Sequence, residues 1–119
     1  MRKTNVITAC LVFIASAAAA QINPFGHHSV DRLTAEDRQL AEQASAKLYQ
    51  APAPQIGASE SWNNPSTGNH GTVALIGVRE HQGLPCRTLR HRLEIQGVAK
   101  PIEFVLNRCR TGDGQWKIL

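Results

Sequence analysis

Residues 84–110 read LPCRTLRHRLEIQGVAKPIEFVLNRCR, two alternating runs either side of a Gly-Val pair, each carrying a Cys-Arg dipeptide. In residues 86–96, Leu89, His91, Leu93 and Ile95 share one face, and Thr88, Arg90, Arg92 and Glu94 share the other. That period of two predicts a half-buried strand. Residues 102–110 alternate again, with Ile102, Phe104 and Leu106 on one face. If Gly97-Val98 forms a two-residue hairpin turn with glycine first, Gln96 lies opposite Ala99. Leu89 then meets Leu106, His91 meets Phe104 and Leu93 meets Ile102, while Arg92 meets Glu103 on the other face. The same register sets Cys86 opposite Cys109. A slip of two residues would keep the faces and separate the cysteines, so the coincidence is informative.

The chemistry of the cysteines agrees. A zinc site needs further ligands at close spacing, and neither thiol has a second cysteine two to four residues away. A thioredoxin-like redox pair would need Cys-x-x-Cys, which is absent. The expectation is a Cys86–Cys109 disulfide, and closing such a loop stabilises a fold by roughly 3 kcal/mol.

The N-terminus supplies an oxidising compartment. Arg2 and Lys3 precede the apolar run VITACLVFIASAAAA, and Ala18-Ala19-Ala20 gives small residues before Gln21. This is the layout of a cleaved secretory signal over residues 1–20. The run is short for a membrane span, which needs about 20 apolar residues, so no transmembrane segment is expected after cleavage. Ile7-Thr8-Ala9-Cys10 is a poor lipid-attachment box, because most of the apolar run follows Cys10.

The full chain has 119 residues and a net charge of +4, from 13 basic and 9 acidic side chains. Losing Arg2 and Lys3 leaves eleven basic residues against nine acidic, or +2. Residues 60–119 hold eight basic and five acidic side chains, and Arg87, Arg90, Arg92, Arg108 and Arg110 gather around the cysteines. The expected partner is an envelope protein, a glycan or an anionic lipid head group. Nucleic-acid binding fits neither the compartment nor the modest charge.

Residues 21–33 read as a flexible lead-in. Thr34 then suits a helix N-cap with Asp37 answering it three residues on, and Leu40, Ala44 and Leu48 recur every four residues with Ala41 alongside. The helix is expected over 34–50, since APAP follows and proline disfavours helical angles before it; residues 51–57 form a Pro-rich connector. Residues 58–119 read as strands. They comprise ASESW, the apolar TVALIGV at 72–78, the two alternating runs, and a terminal QWKIL after the hairpin signal TGDG. NNPSTGNHG between the first two is dense in turn formers. The fold class is α+β: one N-terminal helix followed by a four- or five-stranded antiparallel meander sheet.

At this point the residues carry a resemblance. Trp62, Asn64, Pro65, Gly68, Gly71, Cys86, Arg87, Cys109, Arg110, Asp113, Gly114 and Trp116, with Gly83 shortly before the first cysteine, resemble the C-terminal domain of the bacterial 17-kDa surface antigen family. The resemblance covers about half the chain. It implies an exported envelope protein with a small stapled domain, in the periplasm or associated with the outer membrane and cell surface. Many relatives also carry a lipidated cysteine and a glycine-zipper membrane segment. This sequence shows neither motif, so a soluble periplasmic form is expected.

No Gly-x-Ser-x-Gly, His-Glu-x-x-His or other coupled catalytic set occurs, so neither an enzyme nor a metal or cofactor site is expected. The expected role is a non-catalytic binding or structural module, with Trp62, Arg87, Arg90, Arg92 and Arg110 as the candidate binding residues. The alternative is a periplasmic or secreted inhibitor of an envelope-directed hydrolase.

Overall fold

The computed structural model describes residues 30–119; the expected signal at 1–20 and residues 21–29 of the lead-in lie outside the described residues. A 3-10 turn at Val30–Arg32 leads into helix α1 (Ala35–Tyr49). Five strands follow: β1 (Ser59–Asn63), β2 (His70–His81), β3 (Leu84–Glu94), β4 (Ile102–Arg110) and β5 (Trp116–Ile118). They form one antiparallel meander in chain order, with β3 in the middle. This is the expected α+β architecture with five strands.

The β3–β4 register is the one the hairpin argument gives. Leu89 pairs with Leu106, His91 with Phe104, Leu93 with Ile102, Arg92 with Glu103 and Cys86 with Cys109. The turn itself differs. Ile95 C=O accepts from Val98 N–H at 3.0 Å, so the central residues are Gln96 and Gly97, and the strands stop at Glu94 and Ile102. Gly97 takes φ +82° in the second central position, where only glycine sits without strain. Pro101 cannot donate to a ladder, which helps explain why β4 begins one residue later. The two cysteines form a disulfide with Cα atoms 4.0 Å apart, both fully buried.

Val30–Leu33, assigned to the lead-in by the sequence reading, already belong to the packed core. Val30 and Leu33 are both buried in the core, and Leu33 N–H donates to Val30 C=O at 3.0 Å. Two apolar residues three apart on one turn present the same side, which is why this short piece packs. α1 buries Ala44, Leu48 and Tyr49 against Trp62, Val73, Leu75, Leu89 and Leu93 of the sheet, with Leu40 and Ala41 half-buried beside them. Thus the narrow helical stripe and the apolar strand face meet as their periodicities require.

The helix start does more than cap. Thr34 N–H donates to Asp37 Oδ2 at 2.8 Å and Asp37 N–H to Thr34 Oγ1 at 3.1 Å, the expected capping box. The same carboxylate, wholly buried, also takes Asn64 Nδ2–H at 2.7 Å, Thr67 Oγ1–H at 2.8 Å and Asn69 Nδ2–H at 2.8 Å. These three donors come from the β1–β2 loop. Asn64 and Asn69 further close that loop through Asn64 N–H to Asn69 C=O at 2.9 Å. Asn69 Oδ1 then accepts from Gln96 N–H at 2.8 Å, which ties in the β3–β4 turn. Burial alone would raise the Asp37 pKa, but hydrogen bonds from Asn69, Thr34, Thr67 and Asn64 overcome it and hold the carboxyl at about 2.

Replacing Asp37 with Asn sets an amide N–H2 against the four donors that now bond the carboxylate. The expected loss is about 3 kcal/mol of folding stability, since each orphaned buried donor is costly. Urea denaturation of D37N beside the parent protein checks it.

Candidate functional site

Residues pointing alternately from β3 and β4 divide the arginines between two faces. Leu89, His91 and Leu93 face α1, and so by parity does Arg87. Arg90 and Arg92 lie on the open face. Arg87 donates from Nη1 to Cys86 C=O at 3.1 Å, and its guanidinium sits 5.4 Å from the Trp116 ring centre, a cation–π contact. Arg92 is tied to Glu103 at 3.0 Å and lies 3.8 Å from Glu94. Arg90 is exposed and makes no ion pair among the described residues. Arg110 is also exposed and pairs with Trp116 across β4–β5. It borders a shallow depression formed by the two hairpin tips, Gly83–Pro85 and Thr111–Gly114. The structure therefore does not gather the five candidate residues into one patch.

Trp62 is a core residue. It pairs with Gly71 across β1–β2 and is only 6% exposed. A Cβ at Gly71 would come within 2.7 Å of Trp62 Nε1 and of the Arg92 carbonyl oxygen. Glycine at 71 is thus the condition for the indole to lie flat on the sheet. Its place in the sequence motif is explained by packing.

An apolar groove of about 280 Å³ runs between the helix and the β4–β5 half of the sheet. Leu93, Phe104, Leu106 and Ile118 floor it, Ala41 and Ser45 form the helix wall, and Val30 and Leu33 close one end. The other end is polar. Arg108 Nη2–H donates to Glu42 Oε2 at 2.5 Å, and its guanidinium lies 4.8 Å from the Tyr49 ring centre. Tyr49 O–H donates to Glu42 Oε1 at 2.5 Å. Burial, reinforced by this bond and by the Glu42 charge, pushes the Tyr49 hydroxyl up to about 12. Sequence position groups Arg108 with the other arginines without distinguishing it from them. Its even number on β4, shared with Phe104 and Leu106, is the signal that places it on the helix side.

His91 sits in the groove floor, 5% exposed, its ring stacked on Phe104 with centres 4.8 Å apart. Neither ring nitrogen has a hydrogen-bond partner. Burial lowers its pKa to about 4, helped by the Arg108 charge, so the imidazole is neutral at pH 7. Among the described residues no group of three His, Cys, Asp or Glu side chains could hold a metal ion. A neutral imidazole stacked on Phe104 in an apolar floor is a packing element.

The sequence comparisons bear on this arrangement. The chain is 35% identical over 85 residues to the 17 kDa surface antigen of Rickettsia bellii, covering 71% of this chain and 51% of the relative. It is 36% identical over 86 residues to the proteins of the same name from Rickettsia conorii and Rickettsia prowazekii, with the same coverage. The chain is a relative of the 17 kDa surface antigens. It spans about half the length of these curated relatives. No family model and no solved structure matches it.

The buried histidine gives this surface-antigen relative a signed pH response. The unfolded chain binds a proton on His91 below about 6.5, while the folded one refuses it until about pH 4. Stability contributed by the neutral imidazole is full above the unfolded value and falls as pH drops through that window. Urea midpoints at pH 7 and pH 5 should show the decline, and His91→Leu should flatten it.

Proposed function

We propose that this chain is a non-catalytic, exported module of the bacterial cell envelope, of surface-antigen type. In this reading its open sheet face, carrying Arg90 and Arg92, binds an envelope protein, a glycan or an anionic lipid head group. The observation that carries the reading is the similarity to proteins named 17 kDa surface antigen over 71% of the chain. The disulfide supports it, because such bonds persist in exported proteins and are rare where thiols are kept reduced. So does the division of the sheet. One face is closed by α1 and holds the core, and the other is left to solvent with Arg90, Arg92, Glu103 and Val105 on it. Among the described residues no helix is long and apolar enough to cross a membrane.

Envelope placement is tested in the producing cells. Fractionation followed by intact-mass analysis with an alkylating reagent should find the protein in the envelope or periplasmic fraction with Cys86 and Cys109 unreactive. Recovery from the cytoplasm with both thiols alkylated would contradict the reading. For the binding face, cosedimentation with anionic phospholipid vesicles should weaken in Arg90→Glu and with added salt.

A further inference from the structure

β2 carries a bulge. Its register on β3 runs from Leu75 opposite Leu89 to Gly77 opposite Thr88, so Ile76 is the extra residue. Before the bulge the even-numbered residues of β2 look away from α1, and beyond it the odd-numbered ones do. Ile76 and Gly77 therefore fall on the open face in succession. A Cβ at Gly77 would come within 3.2 Å of the Thr88 side chain, which marks the same side. Ile76 is 37% exposed there, and Val105, 51% exposed, stands on the open face of β4. Arg90 of β3 lies between these two aliphatic side chains, directly opposite Val105.

The same face holds two cations without a counter-charge. Arg92 is engaged by Glu103 and Glu94, His70 by Glu94, and Lys117 by Asp113. Arg79, opposite Cys86, and Arg90 are exposed and pair with no carboxylate among the described residues. Small side chains separate them. Gly77 leaves the strand bare, and Thr88 Oγ1–H donates to Asn107 Oδ1 at 2.8 Å, so neither projects far.

We propose that this face docks on an anionic phospholipid bilayer, with Arg79 and Arg90 at the level of the phosphates and Ile76 and Val105 entering the boundary between head groups and acyl chains. The proposal rests on the reading above that the open face is the recognition face, and it narrows the partners named there to one. Charge complementarity supplies the first argument, because both carboxylates on the face are met by Arg92 and the uncompensated charge is positive. The aliphatic pair supplies the second. Exposed Ile and Val beside free arginines gain nothing from a soluble anion, whereas a bilayer buries them as it meets the cations. The third is the chemistry of the face. Among the described residues the Tyr49, Trp62, Phe104 and Trp116 rings all pack on the helix side. The open face thus lacks the aromatic anchors on which a glycan site or the centre of a protein interface would draw.

The test is cosedimentation of the oxidised protein, as purified from the producing cells, with vesicles of equimolar phosphatidylglycerol and phosphatidylcholine and with vesicles of phosphatidylcholine alone. The expected result is binding that is stronger to the anionic vesicles and falls with added salt. Arg79→Gln with Arg90→Gln should lower it about twenty-fold, each cation at a charged surface contributing about five-fold. Arg38→Gln with Lys47→Gln removes the same charge from exposed positions on α1, across the sheet from this face, and should change binding by less than about two-fold. Ile76→Thr with Val105→Thr keeps every charge and the β-branched side chains, and should lower binding about ten-fold. Circular dichroism should be unchanged in all three; if the threonine pair fails to fold, the two glutamine pairs carry the comparison. Equal losses in the two glutamine pairs, or full binding by a folded threonine pair, would overturn the proposal. A protein that fractionates with the envelope yet ignores anionic vesicles also overturns it, and leaves a protein or glycan as the partner of the open face. Recovery from the cytoplasm would instead sink the envelope reading on which the proposal rests.

Discussion

One buried carboxylate organises the chain. Among the described residues no cation pairs with Asp37; four hydrogen-bond donors and its place in the first turn of a helix hold its charge. The donors come from the helix cap and from both flanks of the β1–β2 loop, and Asn69 passes the connection on to the turn after β3. A loop as rich in Asn, Ser, Thr and Gly as residues 63–71 has little apolar area with which to order itself. The carboxylate supplies what packing cannot, and the loop in turn keeps the helix seated on the sheet.

The opposite end is held by different means. β3 runs from the disulfide end of the sheet to the Asp37 end, so the Cys86–Cys109 bridge and the carboxylate sit at its two extremes. Between them lies the apolar interior of Val73, Leu75, Leu89 and Leu93, fully or nearly fully buried. Tyr49, Glu42 and Arg108 fasten the far end of the helix over β4, and Arg87 braces Trp116 nearby. A modest core is thus clamped at both ends, as small domains commonly require. Among the described residues the clamping leaves one sheet face uncovered, the face on which we propose recognition by this surface-antigen relative.

Much of this was legible in the sequence because it is local or periodic. The helix, its Thr34–Asp37 cap and the β3–β4 register follow from spacing alone, and the register carried the disulfide with it. The two-residue turn was misplaced by one position, since a longer loop can return the strands to the same pairing. Asp37's second role was not legible. Its partners lie 27 to 32 residues away, and nothing in Asn64, Thr67 or Asn69 names a common acceptor. The candidate site was read least well. Treating the arginines as a cluster by position ignored their parity, which sends Arg87 and Arg108 to the helix side and Arg90 and Arg92 to solvent. Trp62 lies on a five-residue strand too short for alternation to declare its face, and only Gly71 opposite it explains its burial.

The central claim is that Asp37 remains ionised because the loop and the cap donate to it. The most direct measurement is an NMR titration of the Asp37 carboxyl carbon in the folded, oxidised protein. The account predicts a midpoint near 2, below the ordinary 3.8, so that the stability it contributes is present above the ordinary value and is lost as pH falls through the lower one. A midpoint at or above 3.8 would mean that the hydrogen bonds do not outweigh burial, and would contradict the account.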